Sequence, residues 1–290
     1  MVYVPPFGEE LNRTRRMAAL QSRALARAGF DVLQLDLAGC GDSAGQFADA
    51  TWDGWVADVM AARAWLLQRH AGQNGGARHT VTPPVWLWSM RAGCLLAAEV
   101  VRRMAPAPVN LLFWQPVISG AVYLTQFLRL RVATDLVRGA GKTGTGRAAG
   151  DDGPGRPVGL TPQQLLAQGE TIEVGGYALS PTLANALGTA HLNDLPAGSR
   201  LLAFEFATTV QAQQRAAVSP ALGQQVARWQ QHGIDAVCQS VQSLPFWQTP
   251  EVEVAPAVFE RVVDALLAAP PNTATPVSGK PDDASLAVSP

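Results

Sequence analysis

The chain has 290 residues, enough to bury a large core as one main domain with an inserted subdomain. Its 22 Lys and Arg are offset by 23 Asp and Glu, so there is no basic surplus to hold nucleic acid or an anionic membrane by charge. Cys40, Cys94 and Cys238 show no CxxC pairing, no apolar run is long enough to span a bilayer, and no basic segment precedes an apolar signal core, which together imply a reduced, cytoplasmic chain.

Val2 to Pro5 is short, apolar and ends in Pro-Pro, as a buried strand running into a loop does. Asn12 is the expected cap of a helix carrying Met17, Leu20, Ala24, Leu25 and Ala28 at helical spacing, stopped by Gly29. Asp31 to Leu37 reads as a second buried strand, and AGCGDSAG behind it as a tight loop ordered by Asp36, Asp42 and Ser43. Trp52, Trp55, Val56, Val59, Ala62 and Leu66 mark the next helix, followed by a surface connection (GQNGGARHTVTPP), a strand from Val85 to Trp88 and a helix through Leu95, Leu96, Val100 and Val101.

After the strand Val109 to Trp114 the strand–helix alternation breaks for about eighty residues, until Arg200 to Phe206 restores it, well beyond an ordinary connection. The interval holds an amphipathic helix (TQFLRLRVATDLV), a Gly-rich loop at 139–159, and two short Pro-started helices (TPQQLLAQGE and SPTLANALGTA). A helix opened by Ser219-Pro220, a strand from Ile234 to Val241 and a last helix through Phe259, Val262, Val263 and Leu266 complete the pattern. The expected architecture is α/β: a mostly parallel sheet covered on both faces, with residues 1–116 and 196–269 as core, 117–195 as an inserted cap and 270–290 as an unstructured tail.

The segment VWLWSMRAGCLLAAEVV has the strand, sharp turn and helix that give meaning to a G-x-S-x-G nucleophile elbow, with the pattern here S-M-R-A-G. Ser89 and Gly93 fill the two small-residue positions and put Arg91 at the tip. An arginine stays protonated and cannot attack a carbonyl, but its planar fork of donors binds anions. At a helix N-terminus a cation opposes the dipole, so a compensating carboxylate is expected nearby. Glu9 and Glu10, in the loop PPFGEELN, are the leading candidates, with Glu205 near the end of its strand as a third.

The loop after the last strand, QSLPFWQTPEVE, holds no histidine where a triad's base would stand. His70, His79, His191 and His232 fall in helix ends or connections and read as surface residues. Cys40 and Ser89 are the remaining nucleophiles, neither with an evident base. Ligand contact is expected from Phe7, Cys40, Ser89, Met90, Trp114 and Trp247, beside the expected strand ends; no metal or cofactor is expected.

The motifs PPFGEELNRTRRM, LQLDLAGCGDSAG, WSMRAG, NLLFWQPVISG with QFLRLR, and PFWQTPE resemble the exosortase A system-associated hydrolase 2 family of the α/β-hydrolase superfamily. The resemblance runs from about Val2 to about Leu267 and implies an α/β-hydrolase-like fold accompanying the exosortase/PEP-CTERM sorting system of exopolysaccharide-making Gram-negative bacteria. It implies that the arginine elbow and the Phe-Trp segment belong to the family pattern, from which Ser89 departs by replacing a glycine. It also implies a sheet without the family's first two strands, leaving Asp31 to Leu37 as an edge open to covering loops or to a homo-oligomer. The expected function is binding of an anionic or acyl-bearing small molecule at Arg91, with exosortase-system proteins as further partners. The alternatives are a non-catalytic scaffold, and an ester or thioester hydrolase using an unconventional nucleophile or carboxylate-activated water.

Overall fold

The structure, a computed structural model, describes residues 1–73, 84–140, 160–208, 218–249 and 254–268. The expectations for the 139–159 loop beyond 140, most of the 72–84 connection, His79 and the 270–290 tail lie outside the described residues.

Six strands form one parallel sheet: β1 (Val2–Val4), β2 (Leu33–Gln34), β3 (Trp86–Met90), β4 (Asn110–Trp114), β7 (Arg200–Ala207) and β8 (Asp235–Gln242), in the order β2-β1-β3-β4-β7-β8. Side chains alternate along each strand, so Trp86, Trp88, Met90, Leu112, Trp114 and Phe204 fill one core while Leu87, Leu111, Phe113 and Ala203 fill the other. The first core is covered by α1 (Glu9–Arg27) through Met17 and Leu25 and by α8 (Pro256–Ala268) through Val258 and Val262. The second is covered by α2 (Trp52–Gln73), α3 (Gly93–Met104) and α7 (Pro220–Gln231), through Trp55, Val56, Val59, Leu95, Leu222 and Trp229.

Between β4 and β7 lie α4 (Gly120–Ala140), α5 (Pro162–Ala167), a hairpin of β5 (Ile172–Val174) with β6 (Tyr177–Leu179), and α6 (Pro181–Thr189). The hairpin is not among the expected elements. Its turn is Gly175-Gly176, both at positive φ, a conformation glycine adopts without strain. The three Pro-started helices form as expected: Thr161, Ser180 and Ser219 each accept a hydrogen bond from a first-turn amide, and proline follows where an amide would be unpaired anyway.

Two expectations are corrected. The strand expected over Asp31 to Leu37 pairs only at Leu33 and Gln34, because Asp36 is drawn into the glycine loop. Its carboxylate accepts from Arg15 and from the Asp42 amide, while its carbonyl accepts from Ser43 Oγ. The strand remains the sheet's edge. The helix expected to start at Asn12 starts at Glu9, with Gly8 as cap at φ 59°; Asn12 lies inside it and donates to Glu9 and to the Tyr177 hydroxyl. Glu9 and Glu10 thus occupy the first turn, where the helix dipole favours acids.

Candidate functional site

All the segments that build the site leave the carboxyl ends of parallel strands, where open α/β sheets place their ligand crevices. The chain turns from Met90 into α3 through Arg91, which has φ 53°, a left-handed conformation that is strained for any residue but glycine. The turn is fixed from both sides: the Arg91 amide donates to the Trp114 carbonyl (3.0 Å), and its carbonyl accepts from Cys94 (3.1 Å) and Val117 (3.3 Å). Gly93 must be glycine, since a Cβ there would lie 2.4 Å from the Pro5 carbonyl oxygen and 2.9 Å from that of Val4. The expected elbow is therefore present, with a guanidinium at its tip.

That guanidinium is held on three sides. Its Nε donates to Glu10 Oε1 at 3.1 Å, and the Tyr123 hydroxyl donates to Glu10 Oε2 at the same distance. The Tyr123 and Trp247 rings lie 5.7 and 5.4 Å from its central carbon, within cation–π range. The Arg91 and Glu10 side chains keep 14% and 17% of their exposure, so the ion pair is mostly desolvated yet reachable. Among the described residues no acceptor is bonded to either Nη atom of Arg91.

Burial raises the Glu10 carboxyl above its ordinary value, although the Arg91 charge and the bonds from Arg91 and Tyr123 pull the other way. Burial, and next the Glu10 charge, push the Tyr123 phenol well above its ordinary range, so it stays a donor.

Arg91 borders two clefts. One, of about 340 Å³, runs along Phe7, Phe127, Leu130 and Trp247 and is also lined by Glu9, Glu10 and Arg13. The other, of about 470 Å³, is walled by Gln115, Ser119, Glu205, Gln224, Gln225 and Arg228. Arg91, Tyr123 and Gln126 belong to both.

Of the expected site residues, the structure brings Phe7, Glu9, Glu10, Arg91 and Trp247 together in the first cleft. Glu9 is the outer carboxylate, bonded to Asn12 and Tyr177, 3.7 Å from Arg13. Glu205 lies in the second cleft, where it accepts from the Ser219 amide. Cys40, Ser89, Met90 and Trp114 border neither cleft. Cys40 packs in the glycine loop, where burial first and then Asp36 and Asp58 push its thiol up to about 11. Ser89 is fully buried, and Met90 and Trp114 face the core beneath the elbow.

No histidine approaches Arg91 among the described residues: His70 lies 3.7 Å from Asp31, His191 3.7 Å from Asp194, and His232 bonds the Arg228 carbonyl. Phe246 and Trp247 stand in the loop after the last strand. Sequence reasoning missed Tyr123, Gln126 and Phe127 of α4, although aromatic residues at i and i+4 were a usable signal. It also missed Gln115, whose φ of 44° and side-chain bond to the Phe206 amide have no local sequence signature. Among the described residues no group of three His, Cys, Asp or Glu is placed to hold a metal, and no helix is long and apolar enough to cross a membrane.

No protein-family model and no curated protein matches the chain. Solved structures do. Est1E from Butyrivibrio proteoclasticus with bound ferulic acid aligns at TM-score 0.50 and 14% identity, over 92% of this chain and 87% of that one. A second Est1E structure from the same organism aligns at TM-score 0.50 and 11% identity, over 92% and 86%. At such identities the likeness shows the fold alone.

Proposed function

The fold is that of the α/β hydrolases, and we propose that this chain is a member of the exosortase A system-associated hydrolase 2 family with a degenerate triad, binding an anionic or acyl-bearing small molecule on Arg91 beneath a cap of residues 117–195. The observation that carries the proposal is the guanidinium at the left-handed tip of the elbow, with no bonded acceptor on its Nη atoms among the described residues and bordering both clefts. A permanently charged residue there closes the acyl-enzyme route and offers two in-plane donors to a carboxylate or phosphate. The quoted sequence motifs support the exosortase link.

The test is calorimetric titration with ferulate, octanoate and octyl phosphate. Wild type should bind at least one of them, and Arg91→Ala should weaken that binding by about tenfold or more, the loss of a charge-assisted bidentate contact. Equal binding by both proteins would end the proposal.

The raised Glu10 carboxyl favours a second reading, in which Glu10 activates water against a bound ester. Hydrolysis of p-nitrophenyl octanoate by wild type that disappears in Glu10→Gln would establish it; no hydrolysis by wild type would exclude it.

A further inference from the structure

Arg91 is the shared wall between two clefts that differ in polarity. The first is lined by aromatic and aliphatic side chains (Phe7, Phe127, Leu130, Trp247), and its charges cancel, with Arg13 and Arg91 against Glu9 and Glu10. The second is also partly apolar, through Val117, Ile118, Val122 and Leu222, but offers more polar surface than the first, from Ser119, Gln224 and Arg228, with Glu205 already engaged by the Ser219 amide. One suits an apolar chain; the other suits a polar head that accepts and donates hydrogen bonds.

The guanidinium restricts what can lie between them. Tyr123 and Trp247 lie within cation–π range and Glu10 takes Nε, which leaves the two Nη atoms as the donors open to two oxygens of an anion. A carboxylate or a phosphate monoester meets that requirement but carries one substituent, leaving a cleft empty. A phosphodiester has two non-bridging oxygens for the fork and two ester arms, one for each cleft.

We propose that the ligand is a phosphodiester amphiphile, its phosphate on Arg91, its apolar chain in the first cleft and its hydroxyl-rich head in the second against Gln224 and Arg228. This rests on the reading of Arg91 as an anion site and adds the identity of the junction and the use of both clefts.

The experiment is isothermal titration with three monoanionic probes of equal charge: octyl methyl phosphate (chain only), glyceryl methyl phosphate (head only) and octyl glyceryl phosphate (both). Wild type should bind the third about tenfold or more tighter than either of the others, because the second arm binds within an already formed complex. Arg228→Gln should remove most of that advantage while leaving octyl methyl phosphate unchanged. Arg228 is solvent-exposed, so the variant should melt with wild type. Octyl glyceryl phosphate binding no tighter than octyl methyl phosphate, or keeping its advantage in Arg228→Gln, would overturn the inference. If Arg91→Ala still weakens octyl methyl phosphate in that event, the anion site stands and only the two-armed ligand falls. If Arg91→Ala changes no probe, the anion site falls as well.

Discussion

Replacing Arg91 by alanine should destabilise the protein by an amount that grows with pH, because the substitution strands Glu10. Removing one partner of a buried pair costs about 3–5 kcal/mol, and with 14% and 17% of the side-chain exposure retained the lower end, about 3 kcal/mol, applies above neutrality. The carboxyl can escape part of this by taking a proton. Its folded pKa is already raised above the ordinary 4.5, so its contribution to stability is complete below that value and is lost as pH rises through the folded one. Without Arg91 the folded value climbs further, the loss extends over a wider range, and the gap from wild type opens with pH at up to about 1.4 kcal/mol per unit. Urea unfolding should therefore show a difference of about 3 kcal/mol at mildly alkaline pH shrinking to about 1 kcal/mol in mild acid, where only the ring contacts are lost. Arg91→Ala combined with Glu10→Gln should lose less than the sum of the two single changes, and Arg91→Gly should be about 1 kcal/mol more stable than Arg91→Ala because φ 53° suits glycine. A difference flat with pH, together with additive single changes, would refute the reasoning.

Other expectations follow from the same geometry. Affinity for octyl phosphate, which stays anionic in mild acid, should rise as falling pH protonates Glu10 and unmasks the Arg91 charge, and Glu10→Gln should lack that rise; a wild type and a Glu10→Gln variant with the same pH dependence would contradict the ion pair's role. Gly93→Ala should cost about 2–3 kcal/mol because its Cβ meets backbone oxygens of Pro5 and Val4, and an unchanged melting temperature would contradict that packing. Arg91→Ser should gain no hydrolysis of p-nitrophenyl esters, because among the described residues no histidine reaches the elbow; turnover would reveal a base that this geometry does not show. The thiols of Cys40, Cys94 and Cys238, pushed by burial up to about 11, 12 and 12, should react slowly with Ellman's reagent in the native protein at neutral pH, and rapid labelling would show a thiolate where burial forbids one.

The sheet was legible because buried parallel strands read as apolar runs and their helices as periodic ones, so five of its strands lie where the pattern places them, within a residue or two. The edge at Leu33–Gln34 was over-read: DVLQLDL has the composition of a central strand, and what shortens it is the tertiary demand on Asp36 from Arg15 and the glycine loop. The elbow was legible because two small residues flank its tip at fixed spacing, and the physical need for Gly93 is visible in the backbone atoms beside it. Glu10 was legible only as one of a pair; that Glu10 points inward and Glu9 outward follows from the capping of α1 at Gly8, four residues before the expected cap. The glutamine-lined cleft was not legible, because the turn at Gln115 leaves no local pattern, whereas Tyr123 had a signal in its i, i+4 spacing to Phe127 but no mark of which strand end α4 would pack over.

Whether the elbow's guanidinium seats an anion is visible in a crystal structure of the protein soaked with octyl phosphate. Two phosphate oxygens should lie about 2.7–2.9 Å from Nη1 and Nη2 of Arg91, with Nε still on Glu10. Phosphate bound elsewhere, with both Nη atoms turned to carboxylates of the chain, would contradict the anion site.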